Sequence, residues 1–319
     1  MRREHRRRIR AAARRGLVAI LIVGGGACTT SDPGYDGRPS RAWIKDLASS
    51  DRVVRADATI ALSNVLRLSS HTPGVAEALV AELADPEEEI RMIAGDALAR
   101  ESVRIPSAVA PLITMLRDES HAAHRKEVAR ILGTFGSVAE SAVGALVDVL
   151  GDSDPYVRAS GAQALGQIGP PATPSVPALG RLLRDPAPSV RQEAIGALVR
   201  IDPTGRAALP IIVGSLQDSL PRVRVAAAVA LGSLQARALP ALGQLIARLS
   251  DGDNSVRAEA VFAIGRIGPS AASAIPALTA AMNRDPASRV MSEAEDALAA
   301  IAGHPRPRRL PPELDQKRP

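Results

Sequence analysis

Seven arginines and eight aspartates recur at nearly constant spacing, and their types are the first in this sequence to suggest chemistry. The arginines are Arg55, Arg91, Arg125, Arg158, Arg191, Arg224 and Arg257. The aspartates are Asp51, Asp85, Asp118, Asp152, Asp185, Asp218, Asp251 and Asp285. Paired charges can serve acid–base catalysis. Because the pair returns about every 33 residues, the pattern instead favours one structural role repeated along the chain.

The other chemically capable residues give no catalytic site. Of five histidines, His121 and His124 have a helical spacing, but no carboxylate or cysteine set completes a metal site around them. The sequence has no Gly-x-Ser-x-Gly elbow and no phosphate-binding loop. Its glycines lie near the ends of repeats, where they predict helix stops. We therefore predict no enzymatic activity, catalytic residue, metal, cofactor or small-molecule substrate.

The composition argues against nucleic-acid binding. Eight of the 40 basic residues lie within residues 1–27, together with one acid, so the remaining 32 basic and 33 acidic residues nearly cancel. A basic footprint is therefore missing from the body of the chain. Aromatic residues make up only 2% of the sequence, which leaves few rings to stack on single strands.

The apolar pattern predicts pairs of helices. In most repeats, small or large apolar residues occupy positions −1, +3, +6, +7 and +10 from the arginine, which form one face of an α-helix. A second amphipathic segment precedes each aspartate, as in residues 75–86 and 175–186. Each unit is thus helix A, a turn bearing the aspartate, helix B and a stop. Stacked units of this kind form an all-α solenoid.

The unit resembles the HEAT-repeat family, and most closely the HEAT-like repeats of the phycobilisome-lyase type. Residues 152–169, DSDPYVRASGAQALGQIG, carry the D-x-x-[VI]-R-x-x-A-x-x-A-L pattern with Gly161 in the first small position. The resemblance covers residues 41–302 and implies a right-handed α-solenoid of about eight helix pairs. It also implies that the aspartates and arginines bind neighbouring repeats to each other.

The resemblance places the functional surface on the outward side of the B helices, along a concave face that binds a protein or peptide. Positions +2, +5 and +9 from each arginine form this row, and Val229 with Phe262 could anchor a partner peptide. The candidate residues are Ser160, Gln163, Gln167, Glu193, Arg200, Val229, Glu259, Phe262 and Arg266. The alternative is an ordinary helix surface covered by its neighbours.

The N-terminus predicts export. Residues 1–27 combine a basic region, a short apolar run and small residues, which is typical of a secretory signal peptide. Gly-Gly-Ala-Cys at 25–28 resembles the lipobox of bacterial lipoproteins, although Gly25 stands where an aliphatic residue is usual. It implies lipidation of Cys28, the single cysteine; a free cysteine at a cleavage site is the alternative. Residues 28–40 predict a flexible tether, and residues 303–319 a disordered tail rich in Pro and Arg.

Together these features predict a scaffold or adaptor of the bacterial cell envelope. It would be anchored on the outer side of the cytoplasmic membrane, or in the periplasm or outer membrane. A HEAT-like lyase, or an accessory subunit of an enzyme, is the second hypothesis. A cytoplasmic solenoid with an arginine-rich N-terminal extension is the third.

Overall fold

The computed structural model describes Asp32, residues 34–118 and residues 124–304. All of these except Asp32 belong to one compact unit, Pro33–Pro319. These residues form sixteen α-helices and no strands beyond one isolated bridge. The A helices are α1 (Ser40–Asp46), α3 (Val75–Ala81), α5 (Val109–Arg117), α7 (Val143–Asp148), α9 (Val176–Leu182), α11 (Ala208–Ile212), α13 (Leu242–Arg248) and α15 (Ile275–Arg284). The B helices are α2 (Arg52–Leu68), α4 (Glu88–Glu101), α6 (Arg125–Thr134), α8 (Pro155–Ile168), α10 (Pro188–Ile201), α12 (Pro221–Ser233), α14 (Asn254–Ile267) and α16 (Ser288–Ile301). Eight helix pairs stack in chain order, so the predicted all-α solenoid is confirmed.

Local sequence sets where the B helices begin. Asp154 and Asp253 precede α8 and α14, and each side chain accepts a hydrogen bond from a backbone N–H of the first turn. Helices α10 and α12 start with proline, and α8 has a proline directly after its aspartate. The missing N–H of proline costs nothing in the first turn of a helix. These signals fix the register of the turn between the A and B helices.

The core is a continuous apolar layer between the A and B helices. The +10 position is buried in all seven repeats where it was predicted, from Val65 to Ile301. The small +3 residues are buried as well, and Gly161 shows why they are small. A Cβ on Gly161 would lie 2.8 Å from Val149, in the A half of the same repeat. The exceptions at position −1 are Val54, which is exposed in the first repeat, and His124, which is half-buried.

The glycines divide into two groups, and the prediction that they are helix stops is right for only one of them. Gly136, Gly169 and Gly268 follow B helices with positive φ angles of 55° to 77°, a backbone conformation that glycine adopts without strain. A second group lies inside the last turn of the B helices: Gly133, Gly166, Gly232 and Gly265. A Cβ on these residues would lie 2.8 to 3.2 Å from the Cα of an alanine in the next B helix. Their role is close helix contact.

The chain entering α1 is ordered earlier than the sequence suggested. Residues 34–39, predicted as the end of the tether, form a turn in which Tyr35 and Arg38 exchange backbone hydrogen bonds of 2.8 and 3.1 Å. Trp43 Nε1 donates to Tyr35 O, and the Arg38 guanidinium lies 4.0 Å from the centre of the Trp43 ring. The predicted signal peptide, Cys28 and nearly all of the C-terminal tail lie outside the described residues.

One described stretch, Asn254–Arg284, has the length and apolar composition that could span a membrane. It comprises α14 and α15, which are separated by a 3₁₀ turn at Gly268–Ala274. Both helices contribute buried residues, including Ile264 and Leu278, to the solenoid core. The stretch therefore reads as two core helices of adjacent repeats.

Candidate protein-binding face

The predicted binding residues lie on four consecutive B helices, α8, α10, α12 and α14, and none of them is fully buried. Gln167, Arg200, Val229 and Arg266 are exposed, and the other five are half-buried. Because the helix contacts run from α8 to α10 and from α12 to α14, these positions follow one face of the stack. We call this surface the B face.

Two of these side chains reach back over the preceding repeat. Gln167 Oε1 lies where a Cβ of Gly133 would be, and the Arg200 guanidinium lies against both Gly166 and Gly196. Because these glycines have no side chain, Gln167 and Arg200 have room to lie flat across the neighbouring helix. The B face is therefore continuous from one repeat to the next.

Glu259 and Phe262 are less available than the sequence suggested. Arg289 from the next repeat forms an ion pair with Glu259, whose side chain is only 12% exposed. Val229 lies on α12 with 48% of its surface exposed, whereas Phe262 on α14 is half-buried among neighbouring groups. The apolar part of the B face is thus centred on Val229.

The Asp and Arg columns form a ladder between repeats, as the sequence predicted. Arg158 Nε and Nη2 donate to Asp185 of the next repeat at 2.7 and 2.8 Å, while Nη1 donates to the backbone O of Asp152 at 2.8 Å. Asp185 also accepts the Ala187 N–H at 2.8 Å. One guanidinium therefore binds the turn of its own repeat and the turn of the following one.

The same geometry recurs along the described residues. The Arg–Asp pairs are Arg55–Asp85, Arg125–Asp152, Arg158–Asp185, Arg191–Asp218, Arg224–Asp251 and Arg257–Asp285. Arg91 donates to the backbone O of Asp85 and of Pro86 at 2.7 and 2.9 Å. These arginines are therefore committed to contacts within and between repeats.

The ladder lowers the pKa of its carboxyl groups. Burial raises the pKa of Asp185, but the hydrogen bonds from Arg158 and the Ala187 N–H, together with the charges of Arg158 and Arg191, outweigh it. The net effect holds the pKa of Asp185 below its usual value. Asp85, Asp218, Asp251 and Asp285 are shifted in the same direction. The carboxylates stay charged at all but strongly acidic pH.

The fold and the ladder agree with the family to which the sequence is matched. HEAT repeats match five overlapping segments, residues 76–151, 109–183, 143–232, 176–248 and 240–312, which cover well over half of the chain. The chain belongs to the HEAT-repeat family. The comparison with curated proteins found no match.

Solved structures with this HEAT fold include karyopherins. Kap95p in complex with RanGDP superposes with a TM-score of 0.58 at 15% identity, covering 82% of this chain and 42% of that chain. Importin beta superposes with a TM-score of 0.58 at 17% identity, covering 83% of this chain and 41% of that chain. The present chain thus spans about two fifths of their length. CpcE and CpcF of phycocyanin lyase from Nostoc are 26% identical, with a TM-score of 0.43, covering 72% of this chain and 94% of that chain.

One buried carboxyl group in the HEAT array was not singled out from the sequence. Glu82, at the end of the A half of the second repeat, is 8% exposed, and its Oε2 has no hydrogen-bond partner. The same position, three residues before the column aspartate, holds the buried Met115, Val149 and Leu182 in the next three repeats. The alignment of Glu82 with those apolar residues in the repeat is the sequence signal that could have identified it as a buried carboxyl group.

Glu82 makes the first repeat junction sensitive to pH. Burial raises the pKa of Glu82 to about 7; the nearby Asp85 carboxylate adds to the rise and Arg55 opposes it. Because the folded-state pKa lies above the ordinary value of 4.5, the folded protein binds this proton more tightly than the unfolded chain does. Its stabilising effect is complete below pH 4.5 and is lost as the pH rises to about 7.

We therefore expect Glu82→Gln to raise the melting temperature at pH 8 and to leave it nearly unchanged at pH 4.5. Glutamine keeps a donor for Asp85 but cannot ionise. Thermal melts between pH 4.5 and 8 measure this, with Glu77→Gln, an exposed glutamate on the neighbouring α3, as the control. Parallel melting profiles for wild type and Glu82→Gln across this range would contradict the assignment.

Two surface clefts of the described array are lined by both polar and apolar side chains. One, of about 450 Å³ between α4 and α6, is lined by Glu88, Asp96, Lys126 and Arg130 among others. Another, of about 700 Å³, lies between α9 and α11 around Arg181 and Arg184. Neither is lined by a Phe, Tyr or Trp side chain. Across the described residues no group of three or more His, Cys, Asp or Glu could hold a metal ion, and His121 lies outside them.

Proposed function

We propose that this HEAT-repeat protein is a non-enzymatic protein-binding scaffold of the bacterial cell envelope, tethered to a membrane through a lipid on Cys28. The observation that carries the binding role is the B face. Ladder arginines and core residues are committed to holding the repeats together. The B face, by contrast, presents exposed polar groups and one exposed aliphatic residue on successive helices, which suits an extended binding surface.

The fold is consistent with this role. Kap95p was solved in complex with RanGDP, and Kap121p with Pho4p; both are solenoids of the same architecture. Kap95p and Kap121p are 15% and 16% identical to this chain. At that level the likeness supports a shared fold and says nothing about a shared partner. The partner of this chain is therefore sought through its own B face, centred on Gln163, Arg200 and Val229.

Reversal of polarity on the B face is expected to abolish partner binding without unfolding the array. The test variant combines Gln163→Lys, Val229→Asp and Arg266→Glu. Its matched control applies the same three kinds of change to exposed A-helix positions: Gln244→Lys, Ala247→Asp and Arg181→Glu. Co-purification of tagged protein from its native cells reads out binding, and circular dichroism verifies the fold. Equal recovery of partners by both variants would contradict the B-face assignment.

The membrane tether rests on Cys28 and the apolar run before it, and it has its own test. Intact mass of the native protein is expected to show cleavage before Cys28 and an added diacylglycerol. Cys28→Ser is expected to shift the protein from the membrane to the soluble fraction, whereas the adjacent Thr29→Ala leaves it in the membrane. An unmodified cysteine in the mature protein would refute the tether and leave the B-face proposal standing.

A further inference from the structure

The seven segments that connect each B helix to the next A helix lie side by side and form one edge of the array. They are residues 64–75, 100–109, 134–143, 167–176, 200–208, 233–242 and 266–275. Ser102 Oγ donates to Thr134 O at 2.9 Å, and Arg104 Nη1 to Arg67 O at 3.4 Å, so consecutive segments touch. The 3₁₀ turns Gly136–Ala142 and Pro170–Ser175 are also in contact. We call this edge the loop edge.

The exposed charges on the loop edge are almost all positive. Its exposed arginines are Arg67, Arg100, Arg104, Arg200, Arg206, Arg237 and Arg266. Two exposed acidic residues lie near these arginines: Glu140 on the edge itself and Glu77 one turn into α3. Its other acids are buried within the segments: Glu101 pairs with Arg104, and Asp202 accepts backbone N–H groups of its own turn. The loop edge therefore carries net positive charge.

Large aliphatic side chains project from the same edge. Leu68 and Val103 are 61% and 71% exposed, and Val138, Leu239 and Ile275 are exposed as well. Exposed aliphatic groups between arginines are the composition that binds an anionic lipid surface, where the cations meet phosphates and the apolar tips enter the headgroup layer. The opposite edge, made of the turns between A and B helices, mixes signs: Glu88, Glu89 and Asp154 are exposed there beside Arg52 and Arg222.

From this combination we infer that the loop edge docks on an anionic phospholipid membrane. The inference rests on the proposed membrane tether for its setting. The polypeptide runs through α1 toward the turn that starts α2, so it enters the array from the loop-edge end of that helix pair. The residues between Cys28 and Gly34 can reach at most about 20 Å. A lipid anchor and the loop edge would then hold the array at two places. Arg200 and Arg266 belong to both surfaces, and the rest of the B face, including Gln163 and Val229, would stay open to a protein.

The test uses the array alone, residues 33–319, which forms a compact unit with its own core and lacks both Cys28 and the basic N-terminus. Co-sedimentation with phosphatidylcholine vesicles is compared with vesicles containing phosphatidylglycerol, at low and high salt. We expect binding only to the anionic vesicles, weakened by salt. The variant Arg67→Gln, Arg100→Gln, Arg206→Gln and Arg237→Gln, which changes none of the B-face residues, should bind at least about tenfold more weakly. The control variant Arg52→Gln, Arg184→Gln, Arg222→Gln and Arg284→Gln has the same net charge and should bind like wild type.

A second readout locates the contact. Because the array has no other cysteine, Val103→Cys on the loop edge and Tyr156→Cys on the opposite edge can each carry an environment-sensitive dye. Blue-shifted emission with anionic vesicles is expected at position 103 only. Equal vesicle binding by the two arginine variants, equal dye shifts, or no preference for anionic lipid would overturn the inference. The inference would also be overturned if the loop-edge variant lost an acidic protein partner while it still bound vesicles like wild type. None of these outcomes bears on the mass of Cys28 or on the B-face variants.

Discussion

Replacement of Arg158 by alanine is expected to lower the free energy of unfolding by about 3–5 kcal/mol, as is typical when one partner of a buried ion pair is removed. Arg158 and Asp185 are 13% and 6% exposed, and the guanidinium also satisfies backbone carbonyls of its own turn. Truncation leaves the Asp185 carboxylate desolvated without its main partner. It also loosens the contact between the fourth and fifth repeats in the middle of the array.

Denaturant unfolding followed by circular dichroism measures this loss. Arg181→Ala, an exposed arginine on the adjacent α9, is the control and should change stability by less than about 1 kcal/mol. Arg158→Lys should recover only part of the stability, since an ammonium cannot make both donations to Asp185. If Arg158→Ala and Arg181→Ala unfold at the same denaturant concentration, the ladder does not hold the repeats together.

The ladder also predicts the sign of acid sensitivity. Because the folded-state pKa of Asp185 lies below its ordinary value of 3.8, its stabilising effect is complete above that pH and is lost as the pH falls through the lower folded-state value. Wild type should therefore lose stability below about pH 4 more steeply than Arg158→Ala does. Glu82 acts in the opposite sense between pH 4.5 and 7, so the two effects are separable by pH.

Substitution of Gly166 by valine is the second large effect, with an expected loss of about 3 kcal/mol or more from overpacking. A Cβ on Gly166 would lie 2.8 Å from the Cα of Ala197 in α10, and backbone cannot move aside as a flexible side chain can. The Arg200 guanidinium, at the same distance, would also be displaced from its place across the B face. The substitution therefore separates α8 from α10 and disturbs the binding surface together.

Gly243 provides the matched control. It lies in α13, is exposed, and has no atom within 4 Å of the position that a Cβ would take. Gly243→Val should leave the unfolding midpoint nearly unchanged, because valine and glycine differ little in helix propensity. A Gly166→Val protein as stable as Gly243→Val would show that the B helices do not depend on this close contact.

The sequence alone was enough for the parts of the fold that repeat. A buried position such as Ile168 and a ladder pair such as Arg158–Asp185 recur in register, so each copy supports the others. The period therefore predicted both the helix pairs and the contacts between repeats. The B-face residues followed from the same register, as the positions that the core and the ladder do not use.

Features that depend on distances between repeats were not predictable in this way. Gly133 and Gly166 looked like helix stops because Gly136 and Gly169, three residues later, are stops; only the position of the next helix separates the two roles. Glu82 stands in a column that also holds the polar Ser215 and Arg248, and its burial depends on the packing around Arg55 and Asp85. The loop edge combines arginines from different repeats at different offsets, such as Arg67, Arg206 and Arg237, so no single column contains it.

Site-specific photo-crosslinking in native cells tests the scaffold role most directly. A photoreactive residue is placed at Gln163 or Val229 on the B face and, in separate strains, at the exposed A-helix positions Arg181 or Gln244. The scaffold account predicts that both B-face positions give an adduct with the same protein and that the A-helix positions give none. Adducts of equal yield from both sides of the array, or none from the B face while the folded protein is abundant, would contradict it.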